Sequence, residues 1–283
     1  MALDGEVKTA QAKVNLWLNV VGRRGDGYHL LHSLVAFADL GDTLHITPAN
    51  GLSLAVEGLG AAELEGPDNL VLKAARLLAD ETGTKAGAAF RIVKRIPLAA
   101  GLGGGSADSA AALRGLDRLW RLDLPNAKLS ALAVRLGADV PMCLGQRPCL
   151  ASGVGEKLEP APPLPDCGLL LVNPGIALPT APVFAARRGD FSPVRPVERP
   201  WSDLVGLVAA LAARGNDLTE AAIAIQPAVG DVLSVLRRTP GVRYAAMSGS
   251  GATCFALYDT RVDADRAATD LPSSWWRHAG RFR

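Results

Sequence analysis

The chain has 283 residues, 49% apolar and 20% charged, which suits one large or two ordinary domains and excludes a disordered chain. Thirty Lys and Arg nearly balance 28 Asp and Glu. A net charge of +2 creates no global field to attract nucleic acid or an anionic membrane, so any anion site must be built locally.

Near the start, "AKVNLWLNVVG" alternates. Ala12, Val14, Leu16, Leu18 and Val20 face one way, and Lys13, Asn15, Trp17 and Asn19 the other, which predicts a half-buried strand. "HSLVAFADLGDTLHITPA" continues in strand style, with a turn expected near Gly41. "NLVLKAARLLADETG" has apolar residues at three and four spacing and predicts a helix stopped by Gly83. "AAFRIVKRIP" predicts a strand closed by Pro97. After the glycine-rich stretch Gly101, Leu102, Gly103, Gly104, Gly105, a helix is expected over about 106–122, with Ala110, Leu113, Leu116 and Trp120 as its apolar stripe. "AKLSALAVRLGADV" predicts another helix, ended by Gly137.

"PAPPLP" at 160–165 and the proline- and arginine-rich stretch at 191–200 read as linkers or long loops. Between them "GLLLVNPG" predicts a buried strand. Helices are expected near 201–213, 217–224 and 229–238, followed by two strands in "VRYAAMSGSG" and "TCFALYD". Strands and helices mix in both halves, and several strands follow one another directly. This gives an α+β chain of two domains, divided near residues 150–165.

The four cysteines, Cys143, Cys149, Cys167 and Cys254, form no C-x-x-C pair, and four free thiols fit a reducing compartment. "MALDGEVKTAQAKVN" has acidic residues where a signal peptide carries its apolar run, and no stretch is apolar for a membrane span. We therefore expect a cytoplasmic protein with no membrane or nucleic-acid partner. No His–carboxylate pair has a recognisable metal spacing.

A helix start presents backbone N–H groups without intrahelical partners, together with the positive end of the macrodipole. Glycines ahead of it allow a phosphate close approach, so Gly101–Gly105 leading into Ser106 is a plausible phosphate cradle. It is not a Walker A loop, because the required lysine is missing. It is not a dinucleotide fingerprint either, because Asp123 follows a helix rather than ending a second strand. A glycine turn with Ser106 as helix cap is the plainer alternative. Asp108, in the first turn, is expected to cap the helix, with a metal ion or Lys94 balancing its charge.

The stretch "PLAAGLGGGSADSAAAL" resembles the second motif of the GHMP kinases, a superfamily of small-molecule ATP kinases. "AKVNLWLNVVGRRGDGYHLLHSLVAFADLGDTL" is similar to the N-terminal segment of one branch, whose acceptor is a cytidyl diphosphate sugar alcohol. "MSGSGATCFAL" resembles the third, C-terminal glycine motif. Shorter matches are "PDNLVLKAARLL", "LGADVPMCL", "SGVGE", "NPGIALPTAPVF" and "NDL" at Asn216, so the ordered set spans nearly the whole chain. The resemblance implies a two-domain α+β fold. Residues 1–155 would form an ATP-binding domain like ribosomal protein S5 domain 2, and 156–283 a ferredoxin-like domain, with ATP and acceptor in the cleft between them. It implies a kinase that phosphorylates a hydroxyl of that small-molecule alcohol, with ATP and Mg²⁺ as cofactors, as a monomer or homodimer. The alternatives are a homoserine- or mevalonate-type kinase, or a catalytically dead nucleotide-binding sensor.

By the same resemblance, Lys13 is the active-site lysine and Asp139, in "GADVP", the catalytic aspartate. Asn15, Tyr28, His29, Thr180, Phe184, Gly249 and Ser250 match substrate positions, with Tyr28 and Phe184 sandwiching the base and His29 bonding its edge. Gly249–Gly251 also reads as an anion nest or, equally, a tight hairpin. Asn69, Lys94, Pro97, Gly101, Leu102, Gly103, Gly104, Gly105, Ser106 and Ser109 match positions near the nucleotide. Relatives often carry two serines after the glycines where this chain has Ser106 then Ala107. Which hydroxyl, Ser106 or Ser109, approaches Mg²⁺ is therefore left open. No equivalent of the metal-binding glutamate of other branches is evident, which leaves the ion to phosphates and water.

Overall fold

The structure is a computed structural model and describes residues 5–64, 66–197 and 200–283. The tip of the expected linker at 198–199 and the first four residues of the N-terminal stretch lie outside the described residues. The chain begins with two long strands, β1 (Glu6–Arg23) and β2 (His29–Ala49). Then come β3 (Leu52–Gly58), α1 (Ala61–Leu64), α2 (Leu70–Thr82), β4 (Gly87–Lys94), α3 (Gly104–Leu119), α4 (Asn126–Leu136) and α5 (Val140–Gly145). Next are β5 (Cys149–Gly153), β6 (Lys157–Pro160), β7 (Gly168–Asn173), α6 (Thr180–Ala186), α7 (Leu204–Ala212), α8 (Thr219–Ile225) and α9 (Ala228–Leu236). The chain closes with β8 (Tyr244–Met247), β9 (Cys254–Tyr258), α10 (Arg261–Thr269) and β10 (Trp276–Gly280).

These elements form two compact units assembled from alternating segments. The first takes residues 1–12, 40–98 and 103–146; the second takes 13–39, 99–102 and 147–283. In the first unit β4 lies between β3, parallel to it, and the C-terminal half of β2, antiparallel. Leu44, Ile46, Phe90 and Ile92 of this sheet are buried, as are Val71 and Leu78 of α2 and Leu113 and Leu116 of α3. The expected turn near Gly41 is absent, because β2 runs through it. Glycine is needed there for another reason: a Cβ at Gly41 would stand 2.8 Å from the Ala10 carbonyl oxygen. The helix expected from 106 starts two residues earlier, at Gly104.

In the second unit a four-stranded antiparallel sheet has the order β10-β7-β9-β8. Every residue of β7 and β9 is buried, which accounts for the unbroken apolar run "GLLLVN". Val229, Val232 and Leu236 of α9 and Ala264 of α10 belong to the same core as Leu170, Val172, Cys254 and Ala256. The N-terminal part of β2 pairs with β5, and β5 with β6.

The half-buried strand predicted at 12–20 is buried on both faces: Lys13 is 6% exposed, Asn15 5% and Asn19 4%. Alternation shows that one face is polar, not what covers it. Here the cover is protein. Trp17 stacks on His32, meets Trp201 edge-on and lies under the Arg214 guanidinium at 4.7 Å.

Candidate active site

Three of the longer helices start on a side-chain cap. Asn69 Oδ1 accepts from Val71 N at 2.9 Å on α2, Asp203 Oδ1 from Gly206 N on α7, and Thr260 Oγ1 from Asp263 N on α10. Helix α3 has none. Its N-cap is Gly103, with φ 66° and ψ 26°, a left-handed conformation that points no side chain at the first turn. Neither Ser106 nor Asp108 caps it. The start of a 16-residue helix is left bare, with Gly105 exposed and Gly104 and Ser106 half-buried.

The glycines themselves meet protein rather than open space. A Cβ at Gly104 would lie 3.3 Å from Ile96 Cγ2 and 3.4 Å from Lys94 Nζ, and one at Gly105 3.1 Å from Leu70 Cδ1. They let α3 settle closely on β4's exit and on α2. Ser109 is fully buried, and its hydroxyl donates to the Ser106 carbonyl at 3.1 Å.

Asp108 is not a cap but half of a buried ion cluster. Its Oδ2 accepts from Lys94 Nζ at 2.6 Å, and Lys94 also donates to Asp42. Asp42 Oδ1 accepts from the amides of Arg95 and Ile96. Burial by itself would lower the Lys94 pKa, but Asp108 and Asp42 together carry it above the ordinary lysine value. Burial raises Asp108 to about 7; Lys94 pulls it down and Asp42 pushes it up. The side chain of Lys94 is 1% exposed, so the balancing charge expected for Asp108 is present, and it is lysine that supplies it. Asn69 likewise spends its amide locally, with Nδ2 donating to the Leu64 carbonyl. Asp139 occupies the N-cap position of α5 without capping it.

In the second unit Lys13 Nζ donates to Asn15 Oδ1 at 2.5 Å, and Asn15 Nδ2 donates to Ser33 Oγ at 2.8 Å. The backbone of the same strand is pinned. Asn15 N donates to Ser248 Oγ, which donates to the Gly101 carbonyl, each at 3.1 Å. The Leu102 carbonyl accepts from Lys13 N at 3.0 Å, while the Leu102 side chain is buried. Gly101 and the third glycine motif therefore touch directly. A Cβ on Gly101 would stand 2.5 Å from Ser248 O and 2.7 Å from Gly251 O. Ser248 was not anticipated from the sequence, although it lies next to the predicted pair Gly249 and Ser250. Ser250 shares a hydrogen bond with Thr180, Oγ to Oγ1 at 2.9 Å.

The structure brings His29 and Phe184 together, their rings stacked at 5.2 Å with 28° between planes. Tyr28 is 62% exposed and sits 5.4 Å from the Arg24 guanidinium carbon. Burial, then the charges of Arg23 and Arg187, hold His29 below the ordinary histidine value. Its imidazole is therefore neutral near pH 7, with one ring nitrogen free to donate and the other to accept. Pro97 lies in the irregular segment between β4 and the glycines.

The chain matches the family model for the GHMP kinases N terminal domain over residues 69–147 and that for GHMP kinases C terminal over 202–278. Over 270 residues, 94% of this chain and 95% of its relative, it is 55% identical to the 4-diphosphocytidyl-2-C-methyl-D-erythritol kinase of Paramagnetospirillum magneticum. The chain belongs to the GHMP kinases, in that branch of the family. A crystal structure of a 4-(cytidine 5'-diphospho)-2C-methyl-D-erythritol kinase shares 37% identity with this GHMP kinase. It covers 98% of this chain and 99% of its own, with a TM-score of 0.82. A homoserine kinase from Cytophaga hutchinsonii, at 16% identity, TM-score 0.70 and 98% and 94% coverage, shares the fold alone. The two sheets and their helices are thus the two-domain α+β architecture of the GHMP kinases, and the phosphoryl donor of a kinase in this family is ATP. Among the described residues, no helix is long and apolar enough to cross a membrane.

Proposed function

We propose that this kinase transfers the γ-phosphoryl of ATP to the 2-hydroxyl of 4-diphosphocytidyl-2-C-methyl-D-erythritol, a step of the non-mevalonate route to isoprenoid precursors. The observation that carries the reading is the uncapped start of α3, in a chain 55% identical to a kinase of that name. The amides of Gly104, Gly105 and Ser106 are offered to the triphosphate, and among the described residues no N-cap side chain competes for them. Gly101, Leu102 and Gly103 shape the approach, and Pro97 lies in the irregular segment leading to them from β4, which ends at Lys94 rather than at the proline. Asn69 and Lys94 sit near the nucleotide and act by fixing α2 and the floor of α3, since their own polar groups are engaged.

Phosphoryl transfer asks mainly for placement and charge neutralisation. Lys13 neutralises charge on the moving group and steers the attacking hydroxyl; Asn15 orients the ammonium from below. Asp139 accepts the hydroxyl proton. Gly249, Ser250 and Thr180 hold the acceptor. The cytosine stacks between Tyr28 and Phe184, and neutral His29 both donates to and accepts from its edge. His29 itself stacks on Phe184 here, so the base takes the ring's other face or displaces the imidazole.

The chemistry calls for Mg²⁺. Among the described residues no group of three or more His, Cys, Asp or Glu is arranged to hold a metal. We assign the ion mainly to the phosphates and water. Of the two serines, Ser109 is buried and engaged, so Ser106 is the hydroxyl assigned to the metal. When bound, magnesium neutralises charge on the phosphates. The division into an ATP-binding domain (1–155) and a C-terminal domain (156–283) belongs to the proposal, supported by family models matching on either side of it. So does the cytoplasmic location, supported by the buried thiols of Cys167 and Cys254, neither of them in a disulfide. The test is ATP consumption with the cytidyl alcohol beside homoserine and mevalonate. Turnover of the cytidyl compound alone is expected; turnover of either other alcohol at a comparable kcat/KM refutes the assignment.

A further inference from the structure

The segment Gly215–Asp217, between α7 and α8, lies outside every glycine motif, yet it is tied to two of the features used above. Its backbone is fastened to β1: Leu18 N donates to the Gly215 carbonyl at 3.0 Å, and Asp217 N to the Leu18 carbonyl at 2.9 Å. Asp217 repeats the attachment with its side chain, accepting from Val20 N at 2.7 Å and Asn19 Nδ2 at 3.2 Å. From this base Asn216 reaches the third glycine motif. Its Nδ2 donates to the carbonyls of Met247 and Gly249, both at 2.8 Å, which uses both amide hydrogens. Its Oδ1 accepts from Leu218 N at 2.9 Å, so the amide cannot flip without losing all three bonds.

What Asn216 holds is next to Lys13. Gly249 has φ 58°, and a Cβ there would lie 3.1 Å from Asn15 Oδ1 and 3.4 Å from Lys13 Nζ. The Gly249 backbone thus forms one wall of the lysine's seat, and the side chains on either side of it, Ser248 and Ser250, tie the turn to Gly101 and Thr180 but leave the Gly249 carbonyl to Asn216. We propose that Asn216 is a positioning residue of the kinase reaction: by gripping the Met247 and Gly249 carbonyls from a segment fastened to the strand that carries Lys13, it keeps the turn packed against the lysine ammonium and its Asn15 partner. The proposal rests on the role assigned to Lys13 in the proposed function.

Asn216→Asp keeps the size and the Oδ1 bond but places oxygen against two carbonyl oxygens. Asn216→Ala removes the grip without repulsion and serves if the aspartate variant does not fold. Stability, kcat, the KM for ATP and amide hydrogen exchange at 248–251 are measured on the full chain. We expect kcat on the cytidyl alcohol to fall 30- to 100-fold with the KM for ATP within twofold of wild type. Exchange at 248–251 should rise at least tenfold while β9 stays protected. Combining Asn216→Ala with Gly249→Ala should cost no more kcat than the worse single variant, because both displace one wall. A folded variant whose kcat stays within threefold of wild type overturns the proposal, as does unchanged exchange at 248–251. If wild type fails to phosphorylate the cytidyl alcohol, the functional reading falls by that result, and the exchange measurement still decides whether Asn216 holds the turn.

Discussion

Gly101→Ala adds a single methyl group, and its cost can be worked out from the backbone around it. Gly101 has φ 74°, where an L-residue with a Cβ loses about 1–2 kcal/mol. The methyl would then stand 2.5 Å from Ser248 O and 2.7 Å from Gly251 O, well inside contact distance. Both obstacles are main chain, so neither can swing aside, and forcing them apart costs about 1–3 kcal/mol. The sum is about 2–5 kcal/mol. Gly105→Ala is the control. It lies in the first turn of α3, and its methyl would meet only the tip of the Leu70 side chain at 3.1 Å. There alanine gains up to about 1 kcal/mol of helix propensity against a small repacking cost. Urea denaturation of both variants beside wild type measures the contrast. If Gly101→Ala lies within about 0.5 kcal/mol of wild type, the close seating of this glycine on the third motif is wrong.

Asp139→Asn should lower kcat by about 10²–10⁴ while ATP affinity by calorimetry stays within about twofold; parallel loss of both would indicate misfolding instead. Phe184→Ala should raise the KM for the cytidyl alcohol about 10- to 100-fold, the worth of one stacked base, and leave the KM for ATP unmoved. Lys94→Met leaves two buried carboxylates without their cation and should cost about 3–5 kcal/mol in urea unfolding. Asp108 titrates at about 7 in the fold against 3.8 unperturbed. A raised value favours the protonated folded state, so its stabilising contribution is complete below 3.8 and lost as pH rises through 7. Wild-type stability should therefore fall as pH rises from 4 to 8. Asp108→Asn should flatten that slope, and an equal slope in the variant would refute it.

Periodicity and end signals served well where a helix meets one core along one stripe. Helices α2 and α4 lie where their apolar spacing and terminal glycines put them, and the apolar run of β7 is buried throughout. Strands with less marked patterns went unseen: β5 is built from small residues, and β10 mixes tryptophan, arginine and histidine. The polar face of β1 was misread as solvated because a sequence does not show that Ser33, Ser248 and Arg214 will cover it. The Lys94 cluster was half legible. Lys94 and Asp108 stand fourteen residues apart and were considered together, whereas Asp42 joins them from fifty-two residues away. Asn216 was visible as part of a resemblance, but its grip on the third motif depends on contacts about thirty residues distant.

Strands β1 and β2, 18 and 21 residues long, each give residues to both compact units. No single cut in the gene therefore yields either unit whole. A fragment ending at residue 155 would carry off 13–39, to which Gly215 and Asp217 are bonded, and the remainder would present the Asp217 carboxylate to water. The halves of this kinase are thus inherited, swapped or lost together, and deletion mapping by simple truncation would report inactivity from both pieces whatever each contributes to the chemistry.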